Sequence, residues 1–260
     1  MSIVNTLFGV AGKRVLVTGA SRGIGLAIAR AFVEAGARVY VCSRSAASCA
    51  AAAEELAKLG SCVAIPCNVS SSEDRARLVQ ELRRHEQALD VVVNNAGALW
   101  AAPLAEYPET GWDKVFDLNV KGVFFLVQQL LPLLEASASA DDPARIINIG
   151  SIDAFRVPPH ESYAYAASKA ALHQLTRQLA SQLASHHITA NVIAPGMFPS
   201  KMLAAPAEAE ALQALVATIP LKRLANDADL AAAALYLASR AGSYVTGAVL
   251  PVDGGVATTL

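Results

Sequence analysis

Charge is scarce in this sequence and almost balanced in sign. Asp, Glu, Lys and Arg make up 17% of the 260 residues, and the formal net charge is -1. That leaves neither the basic stripe of a nucleic-acid surface nor an acidic tail. No uninterrupted apolar run reaches the ~18 residues expected of a membrane span. The opening MSIVNTLFGVAGKRVLVTGA has no basic n-region followed by a long apolar h-region and a cleavage site. Its apolar residues are expected to lead straight into a strand, and the expected location is the cytoplasm. Cysteine is sparse: Cys42, Cys49, Cys62 and Cys67 form no CxxC pair and have no histidine at ligand spacing. Free, buried thiols and no metal site are the expectation. The adjacent His186 and His187 diverge on a helix and read as its polar end.

What is abundant is apolar surface, 54% of residues, in a regular alternation. RVLVTG (14–19), RVYVCS (38–43), CVAIPC (62–67), LDVVVNNAG (89–97), RIINIGS (145–151), ITANVIAPG (188–196) and AVLPVDGG (248–255) read as strands with their exits. Both faces of these runs are apolar, as in buried parallel strands. Helical patterns fill 23–35, 46–59, 72–87, 112–135, 163–185 and 227–239. The alternation predicts an α/β fold: a Rossmann-like, doubly wound parallel sheet of about seven strands with helices on both faces. Residues 1–260 read as one domain without a linker. The stretch 196–225 interrupts the alternation just after a strand end and is expected to form a lid over a substrate.

VTGASRGIG joins the first strand to the first long helix. Gly19, Gly23 and Gly25 permit a tight turn and close approach of backbone N–H groups to a phosphate at the helix N-terminus. The second strand ends in Ser43, Arg44 and Ser45 without the carboxylate that would bind an adenosine ribose 2′-hydroxyl. Arg22 in the turn and Arg44 suit a 2′-phosphate instead, so NADP(H) is expected over NAD(H).

TGASRGIG, NNAG (94–97), Asn119 in DLNV, Ser151, YAASK (165–169) and PG (195–196) occur in one order along the chain. In this the sequence resembles the short-chain dehydrogenase/reductase family over nearly its whole length. GWDKVFDLNV, QQLLPLL, SASADDPARIINIGS and IAPGMFPSKM further resemble NADPH-dependent 3-oxoacyl reductases of the rhamnolipid-synthesis type. The resemblance implies a cofactor site at Gly19, Ser21, Arg22, Gly23, Ile24, Gly25, Ser43, Arg44, Asn68, Val69, Asn95, Ala96, Gly97, Tyr165, Lys169, Pro195, Gly196, Phe198 and Ser200. It implies catalytic roles for Asn119, Ser151, Tyr165 and Lys169, with Asn119 holding a water linked to the lysine. A homotetramer packed through helices like 112–135 and 163–185 is implied too. Asn68 stands where the family usually has Asp, and its side-chain carbonyl is expected to accept from the adenine amino group. Ser200 stands where Thr is common. Ser151 lies fourteen residues before Tyr165, whereas relatives often use about thirteen.

Helical phase chooses between the two tyrosines of ESYAYAASKAAL. At about 100° per residue, Tyr165 shares a face with Lys169, four residues on, and Tyr163 points roughly 120° away from that lysine. Reducing a carbonyl takes hydride to carbon and a proton to oxygen. Tyr165 is the expected acid/base, with Lys169 ~4 Å away lowering its pKa. Ser151 is expected to donate to the substrate oxygen. Met197, Phe198, Met202 and Leu203 suit an acyl chain; Lys201, Lys222, Arg223 and Arg156 suit the phosphates of coenzyme A or an acidic acyl carrier protein. Free small ketones, sugars or steroids are the alternative substrates. A catalytically silent NADP(H)-binding regulator is the alternative from another class. NADPH should be preferred over NADH in kcat/KM, and Arg44→Asp should shift that ratio toward NADH by about tenfold or more. A wild-type preference for NADH ends the assignment.

Overall fold

Seven parallel strands lie in the order β3-β2-β1-β4-β5-β6-β7. The computed structural model describes residues 2–158, 160–199 and 207–259. The strands are β1 (Arg14–Thr18), β2 (Arg38–Cys42), β3 (Cys62–Ala64), β4 (Val91–Asn94), β5 (Ala144–Ile149), β6 (Ile188–Pro195) and β7 (Val249–Val252). The helices are α1 (Ile3–Phe8), α2 (Gly23–Glu34), α3 (Ala46–Ala57), α4 (Ser72–His85), α5 (Glu109–Phe116), α6 (Gly122–Ser137), α7 (Tyr163–Leu183), α8 (Ala207–Thr218) and α9 (Asp227–Ala238). The expected architecture is therefore present. The N-terminal reading needs correction: Ile3–Phe8 forms a short helix, with the Ser2 hydroxyl accepting from Asn5 N–H, before β1 begins.

The period-2 alternation of the strands sorts their side chains onto two cores. Val15, Val17, Val39, Val41, Val91, Val93, Ile147 and Ile149 pack against α2, α3 and α9. Leu16, Tyr40, Val92, Ile146 and Ala190 pack against α4, α6 and α7 on the other face. The helix predicted over 112–135 is a longer rod, Glu109–Ser137, in which α5 and α6 are joined by a π-helical turn at Asp117–Lys121. By length and composition alone this rod could cross a membrane. Its Leu126, Val127, Leu130 and Leu134 are spent on the sheet instead.

Helices α3, α4 and α9 are closed at their N-termini by Ser45, Ser71 and Asn226, whose side chains accept a backbone N–H. Helix α2 is not: its N-cap is Arg22, with no side-chain cap. The first-turn N–H groups of α2 therefore remain available at the carboxyl end of β1.

At the amino ends of the strands, Asp90 ties three of them. It accepts from Arg14 N–H and Nε at 2.7 Å each and from Nη2 at 2.9 Å. Its own carbonyl accepts from Arg145 N–H at 2.9 Å. Asp90→Ala strands a half-buried guanidinium and a strand N–H, and should cost about 2–3 kcal/mol in denaturant unfolding. A loss under about 0.5 kcal/mol, the range of ordinary surface substitutions, would contradict this reading.

Candidate active site

The strand order reverses between β1 and β4, which opens a crevice at their carboxyl ends. Thr18 and Asn95 bridge its floor. Thr18 Oγ1 accepts from the N–H groups of Asn95 and Ala96, both at 3.0 Å. Asn95 Nδ2 donates to the carbonyls of Thr18 at 2.9 Å and Gly19 at 3.1 Å. This bridge explains two of the three turn glycines. A Cβ on Gly25 would overlap Asn95 Nδ2 and stand 2.7 Å from Gly19 O. A Cβ on Gly19 would stand 2.8 Å from Ala96 Cα, and Gly19 also has φ +67°. Gly23 differs: its φ is +58°, but a Cβ there meets nothing within 4 Å. Glycine at 23 serves the backbone turn that presents the open end of α2.

Around this turn Ser21 is half-buried, Ile24 packs on the core, and Arg22 is exposed. Ser43 is buried at the end of β2, and Arg44 beside it is exposed. Neither arginine has an ion-pair partner among the described residues. Uncapped amides and two free guanidinium groups fit a dinucleotide carrying an extra phosphate. Asn68 Oδ1 accepts from Ser70 Oγ at 2.9 Å and faces Ser70 N at 3.4 Å. Asn68 thus sits in a local turn with Ser70. Val69 is buried, and its carbonyl accepts from Arg75.

On the other side of the crevice, β5 delivers Ser151 and α7 delivers Tyr165 and Lys169. Ser151 Oγ accepts from Asp153 N–H at 3.1 Å, capping the short turn Ile152–Ala154. With a lone pair so occupied, its hydroxyl proton is available to donate. Ser151 lies near enough to the Tyr165 phenol to act on its pKa. Burial raises the phenol's pKa, and the hydrogen bond with Ser151 offsets part of the rise. Lys169 is buried, and desolvation lowers its pKa to about 8.

Lys169 also takes a main-chain partner. Lys169 Nζ donates to Ile149 O at 2.7 Å and sits 5.6 Å from the Tyr165 ring centroid. A buried ammonium needs an acceptor, and the strand-end carbonyl supplies it. Ser151 is one neighbour that favours phenolate here. Tyr163 is turned away: its hydroxyl donates to Glu161 Oε1 at 2.5 Å, and its ring meets Tyr107 edge-on.

Asn119 lies in the π turn, a local geometry frequent at functional sites. Its side chain spends both amide hydrogens on Ala98 O at 2.9 Å and Ser168 Oγ at 3.0 Å, and Oδ1 accepts from Ala98 N–H at 2.8 Å. The side chain thus braces the exit of β4 against α7. Gly97 is exposed between Asn119 and Lys169. Pro195 ends β6 buried, and a Cβ on Gly196 would stand 2.6 Å from Asp253 Cα. Met197 packs on Ile152, Ile219 and Val256, and Phe198 on the core beneath α2. Ser200, Lys201, Met202 and Leu203 lie outside the described residues. Two expected carrier contacts are otherwise engaged. Arg223 pairs with Asp229 at 2.6 and 2.9 Å, and Lys222 Nζ donates to Ala217 O at 2.6 Å. Arg156 lies 3.5 Å from Asp153.

One residue escaped the sequence reading. His173 is one further turn along the Tyr165–Lys169 face, so extending the same helical phase would have found it. It is 3% exposed, and burial with the nearby Lys169 charge lowers its pKa to about 4.

A family model described as Enoyl-(Acyl carrier protein) reductase matches residues 19–257. The chain is 51% identical over 249 residues to the rhamnolipids biosynthesis 3-oxoacyl-[acyl-carrier-protein] reductase of Pseudomonas aeruginosa, covering 95% of this chain and 97% of that one. It is 34% identical over 275 aligned positions to a short-chain dehydrogenase/reductase, PhomF, of Diaporthe leptostromiformis, covering 97% and 94%. Among solved structures, a Pseudomonas aeruginosa RhlG/NADP active-site complex superposes with a TM-score of 0.93 at 50% identity, covering 97% of this chain and 99% of that one.

The histidine offers a direct test of the buried face. Its folded pKa is depressed below the ordinary ~6.5, so between ~6.5 and about 4 the unfolded chain binds more protons. Stability is therefore lost as pH falls through that window. Wild type should lose about 2–3 kcal/mol more than His173→Leu between pH 7 and pH 4, read by urea unfolding. Equal losses would mean that the histidine titrates normally.

Proposed function

Because the chain belongs to the short-chain dehydrogenase/reductase family, we propose that this oxidoreductase uses NADPH to reduce the ketone of a 3-oxoacyl thioester to a secondary alcohol. The observation that carries the reading is the convergence of Ser151, Tyr165 and Lys169 on one crevice beside the open end of α2. When bound, the reduced nicotinamide supplies the hydride. Arg22 and Arg44 would hold the 2′-phosphate, and the uncapped amides of α2 would bind the pyrophosphate. Relatives named as a 3-oxoacyl-[acyl-carrier-protein] reductase and solved with NADP support this assignment.

The chain's own residues handle the proton. Ser151 donates a hydrogen bond to the ketone oxygen and keeps it next to the phenol. Tyr165 passes its proton to that oxygen as charge develops there. A phenol whose pKa burial has raised holds its proton at neutral pH, which suits an acid working in the reducing direction. Lys169 places a cation beside the ring and offers hydrogen bonds to the nicotinamide ribose. Asn119 keeps the β4 exit and α7 in register and is read as holding a water linked to Lys169.

Leu99, Phe155 and Val157 are exposed on the loops that follow β4 and β5, apolar surface suited to an acyl chain. Within 196–225, the described residues 196–199 and 207–225, including α8, are read as part of a lid over it. We read residues 1–260 as one catalytic domain in the cytoplasm. It assembles as a homotetramer through the α5–α6 rod, where Trp112 and Phe124 are exposed, and through α7.

Tyr165→Phe should lower kcat by about 10²–10⁴-fold with NADPH binding retained, whereas Tyr163→Phe should change it less than about threefold. The reverse pattern refutes the assignment. Cofactor oxidation should be followed with 3-oxoacyl thioesters of carrier protein and of coenzyme A, with 2-enoyl thioesters, and with free sugars and steroids. Turnover confined to the enoyl thioesters or to the free ketones would replace the proposed substrate, and silence across the panel with tight NADPH binding would favour a regulator.

A further inference from the structure

Gly150 connects β5 to Ser151 and lies directly against His173. A Cβ on Gly150 would overlap the imidazole Nε2 and stand 2.9 Å from Cδ2 and 2.6 Å from Val192 Cγ1. The turn is held from its other side as well, where Gly150 N–H donates to Ile193 O at 2.7 Å. Phe155, four residues beyond Ser151, closes over the histidine with ring centroids 5.1 Å apart. The imidazole is thus clasped by the segment that carries Ser151, on the same helical face as Tyr165 and Lys169.

His173 is an expensive choice for that place. It is 3% exposed, and its Nε2 has no hydrogen-bond partner among the described residues. An unsatisfied polar atom in a core lowers stability, and an aliphatic side chain would avoid that loss. What a flat ring provides is a thin, rigid floor on which a glycine backbone can lie at van der Waals distance. Local rule-breaking of this kind is expected where position matters more than stability.

We propose that His173 is a positioning residue: its ring sets the height of the Gly150–Ser151 turn and so holds the Ser151 hydroxyl against the Tyr165 phenol. This rests on the reading that Ser151 and Tyr165 act on the ketone oxygen.

The test is a double-mutant cycle between His173 and Ser151 with the proposed 3-oxoacyl thioester and NADPH. His173→Ala should lower kcat about tenfold when Ser151 is present and less than about twofold in a Ser151→Ala background, with KM for NADPH unchanged in both. A merely structural histidine would lower both backgrounds by the same factor, and that result overturns the proposal while leaving the role of Ser151 intact. If Ser151→Ala alone leaves kcat unchanged, the reading of Ser151 fails first, and this one with it. Thermal melts establish that each variant is folded. Should His173→Ala not fold, His173→Asn is read in the same two backgrounds against the same criterion.

Discussion

The bridge between Thr18 and Asn95 holds the two halves of the sheet together where their strand order reverses. Four hydrogen bonds join Thr18 and Gly19 to Asn95 and Ala96 at that point. Much of the surrounding sequence follows from it. Gly19 and Gly25 must lack a side chain because the amide of Asn95 and the backbone of Ala96 occupy that space. With the bridge in place, α2 starts tight against the sheet and its open N-terminus points across the crevice. The dinucleotide half of the site is thus a consequence of packing before it is a matter of phosphate chemistry.

The catalytic half depends on α7 in a comparable way. Thr176 Oγ1 accepts from Asn148, which accepts from Asn94, a buried chain that locks α7 to β5 and β4 at 2.8 Å for each bond. Ser168 fixes the same helix to Asn119. Those contacts set the rotation of α7, and that rotation decides which side chains face the crevice. Burial then acts oppositely on the two titrating groups: it raises the phenol of Tyr165 and lowers the ammonium of Lys169 to about 8. The two pKa values are thereby pushed apart, the phenol above its ordinary value and the ammonium below its own, which keeps the phenol protonated in the resting site.

Much of this was legible in the chain. The seven strands read as β-branched runs because parallel strands are buried on both faces. The Tyr165–Lys169 pairing followed from helical pitch alone. The glycine turn was legible as a turn, although two of its glycines answer to Asn95, far along the chain from both. Such an approach leaves no local signal. Lys222 and Arg223 looked like free cations because sequence does not display their partners, Ala217 O and Asp229.

What the sequence by itself determined is whatever depends on periodicity and residue chemistry: the alternating elements, the face shared by Tyr165 and Lys169, and the absence of a carboxylate at Ser43–Arg44. Those properties are local, so a single chain carries them. Only the tertiary structure decided where Ser151 falls relative to the phenol, that Lys169 takes the Ile149 carbonyl, and that His173 lies beneath Gly150. Each is a contact between segments whose relative height is set by packing at sub-ångström scale, and no spacing along the chain encodes that height.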